Sequence, residues 1–236
     1  MEKADFPLPK PDAVRIIPEL GTRAGPMNEH SKAVLEACTG QLVALGMTRR
    51  RRGLAVWQMN DEMWGGIATQ IQFMSSGMVR VIPVMQVVWE PVERLVAHGK
   101  GMGYRPWGAT MVTRSRLVLP SRAIGPIEFR DTEVDGRMLD RFAKLATGEL
   151  VPQILDMADE RDILQFFLDG AGRGGGRAEH VLAIRAWQKK SLDIVEDYGR
   201  LLTAQTQEDN RSRLESFHGR LSTSEAVLEM LEHPRA

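Results

Sequence analysis

Residues 46–89 read GMTRRRRGLAVWQMNDEMWGGIATQIQFMSSGMVRVIPVMQVVW, and the way apolar and polar residues alternate along them decides the fold. Gly46 closes a helical stretch, Arg49-Arg50-Arg51-Arg52 follow, and three strand-like runs come in succession. Leu54 to Met59 is the first run, and Asn60-Asp61-Glu62 makes the turn after it. In the second, Ile67, Thr69, Ile71 and Phe73 alternate with Ala68, Gln70 and Gln72, the period of a half-buried strand. That alternation predicts Ile67, Ile71 and Phe73 buried on one face, with Gln70 and Gln72 pointing away. Ser75-Ser76-Gly77 makes a second turn. Val79 to Trp89 is the third run, in which Pro83, lacking an N–H, marks an edge position or a bulge. Connections this short join antiparallel neighbours, so the stretch reads as a meander and not as a βαβ unit.

Working outward, the N-terminal flank is helical. Asn28 or Ser31 can cap a helix whose stripe is Val34, Leu35, Cys38, Leu42 and Leu45, with Gly46 at the C′ position. Cys38 lies on that stripe and reads as a buried, inert thiol rather than a nucleophile, which needs an electropositive, accessible setting. Prolines 7, 9, 11, 18 and 26 make residues 1–27 an extended arm. On the C-terminal flank, residues 91–110, with Pro91, Pro106 and several glycines, read as irregular, and Met111–Leu119 and Ile127–Phe129 add one or two strands.

From about residue 136 the period becomes helical. Met138, Leu139, Phe142 and Leu145 form one stripe. Leu150, Ile154 and Leu155 form another, and Ile163, Phe166 and Phe167 a third. A long helix is expected from Arg177 to about Gln205, carrying Val181, Ile184, Trp187, Val195, Tyr198 and Leu202 near one face. Ser222-Thr-Ser-Glu225 reads as a capping box before a last helix with Val227, Leu228 and Leu231. Strands grouped first and helices afterwards indicate an α+β protein. The expectation is an antiparallel sheet of four to six strands, sheet-rich over 47–130 and helical over 136–232, forming one domain over 28–236.

With 236 residues, 43% hydrophobic and 26% charged, the chain has the composition of a folded protein. Lys plus Arg and Asp plus Glu number 31 each, so no net field draws in nucleic acid or an anionic membrane. The single cysteine cannot form an internal disulfide, there is no basic n-region before an apolar run, and no stretch approaches a membrane span. A cytoplasmic protein is the expectation.

The candidate contact residues are Arg49, Arg50, Arg51, Arg52, Trp57 and Trp64. Four guanidinium groups suit phosphate or an acidic partner, but in a strand only half of them share a face, and charge on an edge strand also serves to block self-pairing. Aromatics on a sheet can stack bases or anchor a partner; without an RNP-type run, Trp57, Trp64, Trp89 and Trp107 read first as packing. Gly170-Ala-Gly-Arg-Gly-Gly-Gly-Arg177 lacks the Gly-Lys-Ser/Thr ending of a phosphate loop and reads as a mobile interhelical linker. His30, His98, His180, His218 and His233 show no metal-ligand spacing, although His30 or His98 could join a site assembled by folding. No catalytic residue, cofactor or metal is expected.

Leu45-Gly-Met-Thr-Arg-Arg50, Leu54-Ala-Val-Trp57 and Ile71-Gln-Phe-Met-Ser-Ser76 together resemble an uncharacterised bacterial α+β family, over about residues 28–205. Its members open with a helix, a Leu-Gly-Phe-basic-basic turn, an aromatic strand and a second strand ending in Gln and Ser; here Met47 stands in place of the Phe. The resemblance implies a small accessory or toxin-immunity protein. The functional expectation is a non-enzymatic protein that binds, and neutralises or accompanies, a partner protein. The alternatives are a nucleic-acid-associated module using Arg49 to Arg52, and an enzyme whose site is dispersed through the chain.

Overall fold

Asn28 starts the first helix: its side-chain oxygen accepts the Ser31 N–H at 2.8 Å, supplying a partner to an otherwise orphaned donor. In the computed structural model, residues 28–74, 78–104, 111–114, 127–130, 133–171, 177–205 and 207–232 are described. The arm over 1–27, the end of the strand expected to reach Leu119, and most of the glycine linker lie outside them. Helix α1 (Glu29–Ala44) ends at Gly46, whose φ of +93° is the left-handed conformation that glycine adopts without strain. Val34, Cys38 and Leu42 are fully buried beneath it, whereas Leu45, placed on the same stripe by the sequence, is exposed at the helix end.

The meander is present: β1 (Thr48–Arg51), β2 (Leu54–Gln58), β3 (Met63–Phe73), β4 (Val79–Trp89) and β5 (Met111–Arg114) run in that order, every pair antiparallel. A short strand, β6 (Ile127–Phe129), also pairs with β4, so the sheet has six strands. The fold is α+β, with α1 and the C-terminal helices packed on one face of this sheet.

Pro83 sits where the ladder leaves room for it. On one side of β4 the register with β3 is unbroken, and Thr69, opposite Pro83, donates its N–H to Gly53 of the β1–β2 turn instead. On the other side β6 pairs with residues up to Val81 and β5 begins at Val84. Among the described residues the missing donor therefore falls between two partner strands, with the β3–β4 register showing no bulge there.

Burial alternates as expected at Ile67 but not at the end of β3. Ile71 is only half-buried and Phe73 is 53% exposed, because β2 pairs only with residues 64–68 and the rest of the β3–β4 hairpin extends beyond it. Gln70 is half-buried and Gln72 exposed. Around Ile67, Ala68 and Thr69 both sheet faces are covered, so alternation does not separate inside from outside there.

Of residues 91–110, read as irregular, those up to Gly99 belong to helix α2 (Glu90–Gly99). Pro91 lies in its first turn, where no intrahelical donor is needed. Val92, Leu95, Val96 and Gly99 make its buried stripe, a helical period that the surrounding prolines and glycines obscured. Gly99 lies so close to the Phe217 ring that a Cβ there would collide with it.

Helices α3 (Gly136–Leu145) and α4 (Val151–Met157) are joined without a break by a π-helical turn over Ala146–Leu150. Pro152 follows that turn, and its missing N–H belongs opposite Gly148 within it. The widened turn accommodates the proline where a regular α-helix would meet a ring–carbonyl clash. Leu155 of α4 is exposed. Next comes α5 (Glu160–Leu168), capped by Asp159.

The long helix expected over Arg177–Gln205 is two helices, α6 (Arg177–Lys189) and α7 (Val195–Ala204). Ser191 N–H bonds to Ala186 C=O and Lys190 N–H to Trp187 C=O, a Schellman closure with Lys190 at φ +49° in the place glycine usually fills. No glycine or proline marks this stop, and Val195 beyond it is exposed rather than on the buried stripe. The chain continues through α8 (Glu208–Ser222) to α9 (Glu225–Glu232). Ser224, not the Ser222–Glu225 box, caps α9 through the Val227 N–H. Val227 and Leu231 are buried and Leu228 is exposed. Among the described residues no helix is long and apolar enough to cross a membrane.

Candidate functional site

The first strand is the outer strand of the sheet. β1 pairs with β2 on one side and with no other strand among the described residues, and all four of its residues are exposed. It ends in the turn Arg52-Gly53, where Gly53 has φ +76° and a Cβ would lie 2.9 Å from Leu35 Cδ1, so both backbone and space require glycine. A register irregularity between Arg49 and Arg51 twists this edge.

The four arginines do not converge. Arg49 forms a bidentate pair with Glu36 of α1, on the helix-covered side. That hydrogen bond holds the Glu36 carboxyl below its ordinary pKa. Arg50 lies on the opposite face, its guanidinium 4.7 Å from the Trp64 ring centroid. Arg51 carries no ion pair among the described residues. Arg52 stands beyond contact distance of Glu29 and Glu36, lowering both carboxyls less than their direct partners Lys32 and Arg49 do. A single phosphate-chelating cluster is therefore absent from the described residues; the edge instead presents Arg51 and Arg52 outward.

Beside Arg50 the far face of the sheet holds a second, smaller apolar cluster: Leu54, Val56, Ala68 and Val84, with Trp64 half-buried against it. A cavity of about 180 Å³ lies over it, lined by Arg50, Leu54, Val56, Trp64, Gln86, Val88, Glu90 and Tyr104. Its rim is a chain of contacts. Glu90 accepts the Trp64 indole N–H at 3.4 Å and an Arg94 N–H at 2.7 Å, and the Arg94 guanidinium lies 5.2 Å from the Tyr104 ring. Burial, aided by the nearby Glu90 charge, pushes the Tyr104 phenol up to about 12, so it remains a neutral donor.

Trp57 does not join Arg50 and Trp64. It lies on the helix-covered face, half-buried against the main core, packed so closely over Gly65 that a Cβ there would come within 2.5 Å of its ring. Its role is packing. Trp89 is fully buried and Trp187 nearly so. His98 lies in the last turn of α2 and lines an open groove of about 510 Å³ with Gly101, Met102, Arg220, Thr223 and Ser224; His30 lies in the first turn of α1. Cys38 is fully buried, and burial pushes its thiol up to about 12.

Sequence reasoning missed Gln86, Glu90 and Tyr104. The signal for Gln86 was a single amide inside an otherwise apolar strand run; for Glu90 and Tyr104 there was none, because the helix between them went unrecognised. Among the described residues there is no cluster of three or more metal-ligating side chains. No family model, no curated protein and no solved structure matches this chain.

Proposed function

We propose that this protein is a non-enzymatic accessory protein that binds a partner protein through the outer edge of β1, receiving an acidic extended segment. The observation that carries the reading is the placement of two exposed arginines: Arg51 at the end of a fully exposed strand with no neighbour on one side among the described residues, and Arg52 in the turn just after it. An unpaired strand edge offers backbone donors and acceptors to an added strand, and the side chains beside it set which strand is accepted. Two copies of this edge would bring arginines against arginines, so the charge that rejects self-pairing also selects an acidic partner. The likeness of residues 45–76 to an accessory and immunity-type family supports the narrower reading that the partner is a protein this chain neutralises. The arginines, divided between two sheet faces, favour a protein strand over a phosphate backbone.

The experiment is a titration with a synthetic peptide of alternating Glu and Val, run beside a single-stranded DNA of similar charge. Peptide binding that falls at least about tenfold in the Arg51→Glu/Arg52→Glu variant, mainly through slower association, is the expected result. DNA binding that exceeds peptide binding, with a steep salt dependence, replaces the reading by the nucleic-acid one. Binding of neither leaves the arginines as a solvated, self-protecting edge and overturns it.

A further inference from the structure

We infer that the cavity beside Arg50 is a pocket for a single nucleobase-type ring, a planar group with a donor and an acceptor side by side on one edge. The decisive residue is Gln86. It is 5% exposed and lines the cavity, yet its side-chain amide makes no hydrogen bond with any described group. The amide reaches the cavity, so a planar ligand entering there meets a donor and an acceptor not engaged by the surrounding side chains. Its position is built: Gly66 on β3 lies beneath it, and a Cβ there would fall 2.9 Å from both Cγ and Nε2 of Gln86. Any other residue at position 66 would crowd the amide out of its place.

The other walls narrow the occupant. Leu54, Val56 and Val88 are apolar and Trp64 and Tyr104 are aromatic, so the ligand must present apolar faces. A purely apolar ligand would leave Gln86 unpaired. A compact anion would face Glu90, and a compact cation would face Arg50. A glutamine amide offers an N–H donor and a C=O acceptor side by side, the pattern by which Asn and Gln read adenine, and the Trp64 and Tyr104 rings, each beside a guanidinium, wall the same cavity. The volume, about 180 Å³, is well below that of pockets for drug-sized ligands and suits one ring system rather than a whole nucleotide. Such a ring could belong to a free nucleoside or to one base of a strand. The inference goes beyond the edge-strand reading and rests on a residue of β4 that the charge-reversed edge variant leaves intact.

The test is an NMR titration of the full chain with adenosine, cytidine, guanosine and uridine, each to about 1 mM, following the Gln86 side-chain amide resonances. At least one nucleoside should shift them, with its affinity lowered about tenfold or more in Gln86→Leu, as loss of a bidentate contact implies. Gln86→Asn, which keeps an amide but shortens its reach, should weaken binding as well and serves if the leucine variant fails to fold. A short oligonucleotide of the preferred base that binds much more tightly and with steep salt dependence assigns the base to a strand; equal affinity assigns a free nucleoside. Silence of the Gln86 amide towards every nucleoside and oligonucleotide, or binding undiminished in both variants, overturns the inference.

Discussion

The carboxylate of Glu62 accepts the indole N–H of Trp187 at 2.9 Å, although 125 positions separate the two residues in the chain. The same oxygen accepts the indole N–H of Trp89 at 3.1 Å. Glu62 belongs to the turn between β2 and β3, Trp89 ends β4, and Trp187 lies on α6, so one side chain joins the sheet to the helical half. Glu62→Ala should cost about 2 kcal/mol, because it removes the carboxylate that accepts from both largely buried indoles. Glu62→Gln, which keeps an acceptor, should cost clearly less. Urea unfolding of the two variants checks this; equal losses would show that the shared carboxylate contributes no acceptor-specific stability.

Lys190 holds the stop between α6 and α7 in a left-handed conformation while its ammonium lies over the Trp187 ring. Lys190→Ala removes the cation–π contact and keeps the backbone strain, whereas Lys190→Gly removes both. The glycine variant should therefore be about 1 kcal/mol more stable than the alanine variant, in equilibrium unfolding at neutral pH. The reverse order would mean that this turn is not left-handed in solution.

Cys38 should resist thiol reagents in the native protein at pH 8 and react on unfolding. The sign of its pH effect follows from burial: the native thiol stays protonated up to about 12, while the unfolded thiol ionises near 9.0. Above pH 9 the unfolded state binds fewer protons, so stability falls as pH rises between these values, by at most about 1.4 kcal/mol per pH unit. The wild type should lose stability faster than Cys38→Ala over that range. Parallel pH profiles would show that the thiol is solvated.

Gly65→Ala places a methyl group within 2.5 Å of the Trp57 ring on the core face of the sheet. It should destabilise by about 2 kcal/mol through overpacking. Thermal unfolding reads this directly, and a neutral substitution would mean that Trp57 packs elsewhere.

The meander was legible because short polar turns separate runs with a two-residue period, and because Asn28 and Gly46 carry the cap chemistry that ends α1. Helix α2 was not, since Pro91 reads as a breaker unless its first-turn position is known. The division of Arg177–Gln205 was hidden for the opposite reason: a lysine adopts the left-handed stop, and the apolar period runs on past it. Phe73 fits a strand pattern, but its exposure depends on where β2 ends. The arginine run was visible at once; its division between Glu36 and Trp64 follows from alternation. Gln86 becomes meaningful only when Gly66, Trp64 and Tyr104 are placed around it, and no spacing in the sequence joins them.

The most direct measurement of the edge-strand account is amide hydrogen exchange at Thr48–Arg51 with and without the Glu–Val peptide. If a partner strand adds to β1, the outward amides, exposed in the free protein, should become protected on peptide binding. In the Arg51→Glu/Arg52→Glu variant that protection should be lost. Protection that appears elsewhere in the sheet, or no change in β1 at saturating peptide, would contradict the account.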